Sequence, residues 1–213
     1  MKITRVVKKD SKNVSIHLDN GNVIFINYEI FIKSGLRKND NISENQIDSL
    51  IKENQRFAVK QRAFRYLGRR LLSENELRIK LRLKKYDENI INEIIEDLKE
   101  KNYLDDLEFA NIFSSENIRN KFWGKNKVKA ELMRRGINNE IILQVLLEKF
   151  PEGNDLNNAV ELAQKKYQLL SKRNLEQKKI KEKMISFLFS KGYDYEVIKE
   201  ALEKIIKNDA LDS

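Results

Sequence analysis

Two spacings of apolar residues divide the chain. Over residues 1–42 they alternate: Val14, Ile16 and Leu18 are separated by Ser15 and His17, and after "DNGN" comes the β-prone run "VIFINY" (23–28). Asp-Asn-Gly between two such runs predicts a hairpin, because Asn20 and Gly21 tolerate the positive φ of a tight turn. "MKITRVV" at the start adds a candidate third strand. A lone hairpin is marginal in water, so this sheet is expected to pack on the helices that follow. From Ser43 onward the spacing becomes three and four. "SENQ" (43–46) is a capping box, in which the serine hydroxyl serves the third amide and the glutamine side chain folds back. The helix it opens is expected to reach Leu71 or Leu72, with Gly68 as its weak point.

One stretch obeys neither rule at first sight. "ELRIKLRLKK" (76–85) alternates Leu77, Ile79, Leu81 and Leu83 with Arg78, Lys80, Arg82 and Lys84, like an exposed strand. Self-similarity elsewhere in the chain decides the matter. Residues 77–98 overlay 128–149 at a shift of 51, and 184–205 at a further shift of 56, without gaps. Apolar positions coincide: Leu77, Val128 and Met184; Leu81, Leu132 and Leu188; Tyr86, Ile137 and Tyr193; Ile90, Ile141 and Val197; Ile91, Ile142 and Ile198; Ile94, Val145 and Ala201. Leu77 and Leu81 are four apart and apolar in every copy, the helical interval, whereas Ile79 becomes Ala130 and Ser186, and Leu83 becomes Arg134 and Ser190. The shared pattern is α. "SENE" (73–76) is a second capping box that starts this helix. Lys85, Gly136 and Gly192 share the position of the following turn, where a left-handed residue is favoured.

Each copy has a helix upstream, over 56–71, 106–121 and 155–170, with inner stripes of Phe64 and Leu67; Phe109, Ile112 and Phe113; Ala159, Leu162 and Ala163. Asp105, with Glu108 three residues on, caps the middle one. The predicted fold is mainly α: three tandem three-helix modules in an elongated curved array, preceded by a small β-sheet. Such modules bury little alone, so mutual support is expected. The expected divisions are 1–42 for the hairpin segment, 43–104 for a leading helix plus the first module, 105–153 for the second and 154–213 for the third, with "FPEGND" (150–155) as the clearest turn between modules.

Composition sharpens this picture. Among 213 residues, 35 % are charged and 40 % apolar, which suits slender helical modules, and seven glycines with one proline leave little material for a many-stranded barrel. The formal charge of +9 favours a polyanionic or acidic partner. There is no cysteine, hence no disulfide or thiolate chemistry, and no apolar run approaches a membrane span or a signal peptide. A cytoplasmic protein is the expectation.

The charge is also segregated. The first basic block carries Arg69, Arg70, Arg78, Lys80 and Arg82; the second Arg119, Lys121, Lys125, Lys127, Lys129, Arg134 and Arg135; the third Lys165, Lys166, Lys172, Arg173, Lys178 and Lys179. An acidic stretch from Asp87 to Glu108 separates the first two. In every copy the block falls on the end of the first helix, the loop and the start of the second. Equivalent elements of stacked modules face alike, so these residues are candidates for one positive stripe along an extended partner. The competing reading is that they lie over helix faces and pair with the acidic helix beside them.

Catalytic chemistry is hard to place. His17 is the only histidine, expected on the hairpin's solvated face. No phosphate-cradling glycine loop exists. Asp105 and Asp106 are better explained by a helix cap than by a metal, and Trp123 by packing at a helix end than by stacking on a base. A non-enzyme without cofactor or metal is expected.

The ordered stretches "YLGRRLLSENELRIKL" (66–81), "NYLDDLEFA" (102–110), "IRNKFWGKNKVKAELMRRGI" (118–137) and "KKIKEKMISFLFSKGYDYEVIKEAL" (178–202) resemble the RecX family, bacterial regulators of the RecA recombinase, and the likeness spans essentially the whole chain. The resemblance implies tandem three-helix repeats that bind in the deep groove of the RecA–DNA filament, contact neighbouring protomers, and reduce ATPase and strand exchange. Several such proteins also bind DNA directly. The family's basic signature falls on Arg69, Arg70, Lys80, Arg119, Lys121, Lys125 and Lys127. Lys85 departs from it, a glycine being more usual there, and "RRLL" lacks a proline often found after the arginine pair. The partners so implied are the RecA filament and single- and double-stranded DNA, with no membrane and a monomeric chain. The rival expectation is a stand-alone nucleic-acid-binding protein using the modules directly.

Overall fold

At the start of the chain, Ile3–Lys8 (β1), Asn13–Leu18 (β2) and Val23–Asn27 (β3) form an antiparallel sheet in that order. The computed structural model describes residues 1–151, 154–173 and 175–209. In the β2–β3 register Val14 faces Ile26 and Ile16 faces Ile24, so one face of the sheet is continuously apolar. The turn between them needs a single left-handed residue, Gly21 at φ 83°. Asn20 instead uses its side chain, whose carbonyl oxygen accepts from the Asn22 amide at 3.0 Å. The other face of β2 is not solvated as expected. Ser15 is fully buried, and half-buried His17 places Nε2 3.2 Å from the Ser15 hydroxyl.

A short helix absent from the sequence reading, Tyr28–Ser34 (α1), follows directly, capped by Asn27 and ended by left-handed Gly35. The next helix, Glu44–Leu67 (α2), opens with the Ser43–Gln46 capping box, both reciprocal bonds being present. It is one helix of 24 residues, so the leading helix and the first helix of the first module are continuous, and it stops at Gly68, short of Leu71. Leu50, with Ile47 and Phe57 beside it, closes the sheet's apolar face; the expected packing of sheet on helix is present.

The remaining helices are Glu74–Arg82 (α3), Glu88–Glu100 (α4), Asp106–Lys121 (α5), Lys125–Arg134 (α6), Asn139–Lys149 (α7), Asn154–Ser171 (α8), Gln177–Ser190 (α9) and Tyr195–Asp209 (α10). In each module the first helix packs on the third: α2 on α4, α5 on α7, α8 on α10. The ambiguous stretch is helical. Leu77 and Leu81 are fully buried, while Ile79 and Leu83 are 45 % and 75 % exposed. Their counterparts Val128, Leu132, Met184 and Leu188 are buried likewise. The inner stripes differ in detail from expectation. Val59 and Ala63 are buried rather than Phe64 and Leu67, and Ile112 is exposed while Ala110 is buried. Ala63 and Ala110 count little in apolar periodicity, yet both are fully buried. Of the expected turn at 150–155, Glu152 and Gly153 lie outside the described residues.

The chain divides into two compact units: Met1–Leu71 with Leu77–Tyr103, and Leu72–Glu76 with Leu104–Ser213. Within the second unit one contact recurs. The Gly124 amide donates to the Lys191 carbonyl at 2.9 Å and the Asn126 amide to the Gly192 carbonyl at 3.1 Å. The start of α6, which has no side-chain cap, is therefore capped by the backbone of the α9–α10 turn, satisfying amides that a helix leaves unpaired. In the same way the Leu72–Glu76 segment, with the start of α3, meets the α6–α7 turn. The Ser73 hydroxyl donates to the Arg135 carbonyl at 2.8 Å, and a Cβ on Gly136 would stand 2.6 Å from the Asn75 Cβ. Gly136 and Gly192 both have positive φ and a neighbour pressed against them; Lys85, at φ 58°, adopts the same conformation but is exposed. A side chain there meets no obstacle, which accounts for the departure at Lys85.

Candidate functional site

The basic blocks meet different fates. In the first unit, Arg82 forks onto Glu88 through Nε at 2.8 Å and Nη2 at 2.5 Å, while Arg78 reaches Glu88 at 3.4 Å and bonds Asn92. The pairing holds the Glu88 carboxyl below its ordinary range, first through the Arg82 hydrogen bond. Further up α2, Arg56 and Lys60 bind Glu93 and Asp97 of α4. Here the acidic helix pairs with four basic residues of α2 and α3. Lys80 lies over the Tyr66 ring at 5.5 Å; Arg69 and Arg70 are exposed beyond the end of α2, and Arg70 Nη1 is 3.5 Å from the Leu71 carbonyl.

In the second unit, several lysines lie over aromatic rings. Lys121 and Lys127 sit 5.0 and 5.9 Å from the Trp123 ring, which is itself half-buried edge-on against Phe113. Lys191 Nζ donates to the Lys121 carbonyl at 3.0 Å and lies 5.6 Å from the Phe187 ring, and Lys166 approaches the same ring at 4.8 Å. Lys165 lies over Phe122 at 4.7 Å and also binds Glu161 at 2.7 Å. A lysine over an aromatic face keeps its charge facing solvent while its stem is packed. The run Lys127–Trp123–Lys121–Lys191–Phe187–Lys166 therefore joins the second and third modules into one cationic, aromatic-backed patch. Beside it a groove of 640 Å³ between α8 and α9 is lined by Lys166, Arg173, Lys179 and Lys183 with Leu170 and Phe187, and by one carboxylate, Glu182.

Other candidates stand apart. Arg134 and Arg135 converge on Glu131 at 2.8 and 2.6 Å, and Arg135 stacks on Phe113 at 4.2 Å. Among the described residues Arg134 pairs only along its own helix, while Arg135 also reaches Glu76 at 3.9 Å. Arg119 borders a shallow hollow with Lys149. Lys125, Lys129, Lys172 and Lys178 are exposed. Lys191 is a further basic residue of this patch, and the overlay of the copies holds its signal, since Lys84, Arg135 and Lys191 share one position; the rings Phe122 and Phe187 have no such signal.

Asp105 accepts from the amides of Leu107 and Glu108 at 2.8 and 3.0 Å, and Asp106 from the Glu74 amide at 2.7 Å; both carboxylates serve helix starts. Among the described residues no three His, Asp or Glu side chains gather as a metal site would require. Nor is any helix there long and apolar enough to cross a membrane.

Comparisons with known proteins agree with this architecture. Models of the first, second and third three-helix domains of RecX match residues 60–98, 105–146 and 154–202. The regulatory protein RecX of Clostridium botulinum (strain Eklund 17B) is 33 % identical over 213 residues, covering 99 % of both chains. That of Clostridium perfringens (strain 13) is 32 % identical over 207 residues, 97 % of this chain and 96 % of that one. A crystal structure of regulatory protein RecX superposes with a TM-score of 0.71 over 95 % of this chain and 98 % of its own, at 22 % identity. RecX from Lactobacillus salivarius gives 0.63 over 71 % and 97 %, also at 22 %. With three domain matches in the family's own order and relatives aligned end to end, this chain belongs to the RecX family of regulatory proteins.

Proposed function

We propose that the chain binds the RecA–DNA filament in its groove and lowers the recombinase's ATPase and strand exchange, as a monomeric cytoplasmic regulator without catalytic chemistry of its own. The observation that carries this reading is the patch running from Lys127 to Lys166 across two modules. A surface that is cationic, backed by rings and continuous across a repeat suits an extended, repeating polyanion better than a small ligand. Bridging adjacent protomers impedes the subunit motions that ATP turnover requires. Lys121, Lys125, Lys127, Lys165, Lys166, Lys179 and Lys191 make the contacts in this reading; Arg78, Arg82, Arg134 and Arg135 are structural.

The test is RecA ATPase on single-stranded DNA with the protein at substoichiometric amounts. Inhibition and a changed filament lifetime are expected, and their joint absence counts decisively against the reading. Replacing Lys121, Lys127 and Lys166 together by glutamine is expected to relieve the inhibition, whereas Arg134→Gln leaves it in place.

A further inference from the structure

The first unit carries a second basic surface that the regulatory reading does not use. A groove of 680 Å³, the size of a ligand site, runs between the β1–β2 loop, the end of β3 and the middle of α2. Its walls bear Lys9, Lys12, Arg62 and Arg65, facing Glu29 as the one carboxylate in the lining. None of these four cations makes an ion pair among the described residues. This contrasts with Arg56 and Lys60 on the same helix, each bound to a carboxylate of α4.

The groove is built rather than incidental. Asn54 accepts from the Asn27 amide at 2.7 Å and donates to the Phe25 carbonyl at 3.5 Å, pinning the end of β3 to α2. The Tyr28 amide donates to the Lys12 carbonyl at 2.7 Å, and Asp10 closes the loop by accepting from the amides of Lys12 and Asn13 at 2.6 and 2.9 Å. On the rim stands Phe25. It lies on the sheet face opposite the buried pair Ile24 and Ile26 and is 64 % exposed, a large ring with no core role.

We propose that this groove binds single-stranded nucleic acid, its four cations holding the phosphate backbone and Phe25 stacking on a base. Lys9, Arg62 and Arg65, with Lys12 beside the Asp10 carboxylate, outnumber the acidic groups here and match a run of phosphates, and an exposed ring beside them is the other half of a single-strand platform. A duplex keeps its base faces stacked inside and offers the ring nothing. Direct DNA binding is what the family resemblance implies; the new element is its place, this groove of the first unit, and it depends on no recombinase.

The experiment measures fluorescence anisotropy of labelled oligo-dT with the full chain across a salt series. Phe25→Ala is expected to weaken binding roughly tenfold, a typical loss for one stacked base, with the salt slope unchanged. Arg62→Gln with Arg65→Gln is expected to reduce that slope by about 1.4, the share of two phosphate contacts on a single strand. Both sites lie outside the buried core, so the fold is retained and circular dichroism checks it. Oligo-dT binding equal to wild type in either variant overturns the proposal. So does a Phe25→Ala loss as large for duplex as for oligo-dT, or equal displacement of oligo-dT by poly-glutamate, which would assign the groove to an acidic peptide. RecA ATPase read in parallel separates the two ideas: inhibition retained while oligo-dT binding is lost is the expected pair.

Discussion

The turns at Gly192 and Lys85 hold the same place in two copies of one module and share a left-handed backbone, yet only the first tolerates no side chain. Gly192 lies against the backbone of Lys127, and a Cβ on the facing Gly124 would stand 2.8 Å from its carbonyl oxygen. Lys85 is exposed. A positive φ thus explains a preference for glycine at such a turn, but the demand for it comes from what touches the turn. The largest expected effect follows directly: Gly192→Val costs about 2–5 kcal/mol through the clash and the left-handed strain together. Lys85→Val, at a turn where lysine already carries the left-handed strain and nothing obstructs the side chain, costs about 0.5–1 kcal/mol, the added crowding of a β-branched residue. Urea midpoints measure both, and equal losses would abolish the distinction.

A second measurement tests the residue after the turn. Buried Tyr193 donates its hydroxyl to the Phe122 carbonyl at 3.0 Å, whereas its counterpart Tyr86 is half-buried. Tyr193→Phe is expected to lose about 1–1.5 kcal/mol, and Tyr86→Phe less than about 0.5 kcal/mol.

Asp155, at the start of α8, gives the same junction a pH dependence. Burial, with Asp194 nearby, pushes its carboxyl up to about 6, against a hydrogen bond from the Lys125 amide. One of its oxygens is buried without a partner among the described residues. A raised carboxyl binds its proton more tightly in the folded state. Its contribution is therefore present in full below the ordinary value of 3.8 and is lost as pH rises through about 6. Asp155→Asn is expected to flatten that fall and raise Tm at pH 7 by about 2–4 °C; an unchanged melting profile across this window would remove Asp155 from the account. The smallest effect belongs to the other turn: Lys85→Gly relieves the left-handed strain at some cost in chain entropy, a net gain of about 0.5 kcal/mol.

Much of this architecture was legible because the module occurs three times. A single copy of residues 76–85 reads as a strand; three copies leave Leu77 and Leu81 as the invariant apolar pair and expose the alternation as local. The capping boxes at Ser43 and Ser73 rest on short-range bonds that spacing alone reveals, and both are present. What escaped depended on the third dimension. Ser15 is polar yet buried, at a register position between Val7 of β1 and Phe25 of β3. The charge blocks looked equivalent along the chain, but which cations meet carboxylates is set by the helix packed beside them. Arg82 finds Glu88, while Lys121 and Lys127 find a tryptophan.

The backbone cap on α6 has a consequence for synthesis. A ribosome delivers Gly124 well before Gly192, so the second module emerges with its middle helix open at one end. It stays open until the distant loop has cleared the exit tunnel and folded back. These two modules therefore mature as a pair, and a message cut short between them yields a protein with a frayed helix rather than a smaller finished one.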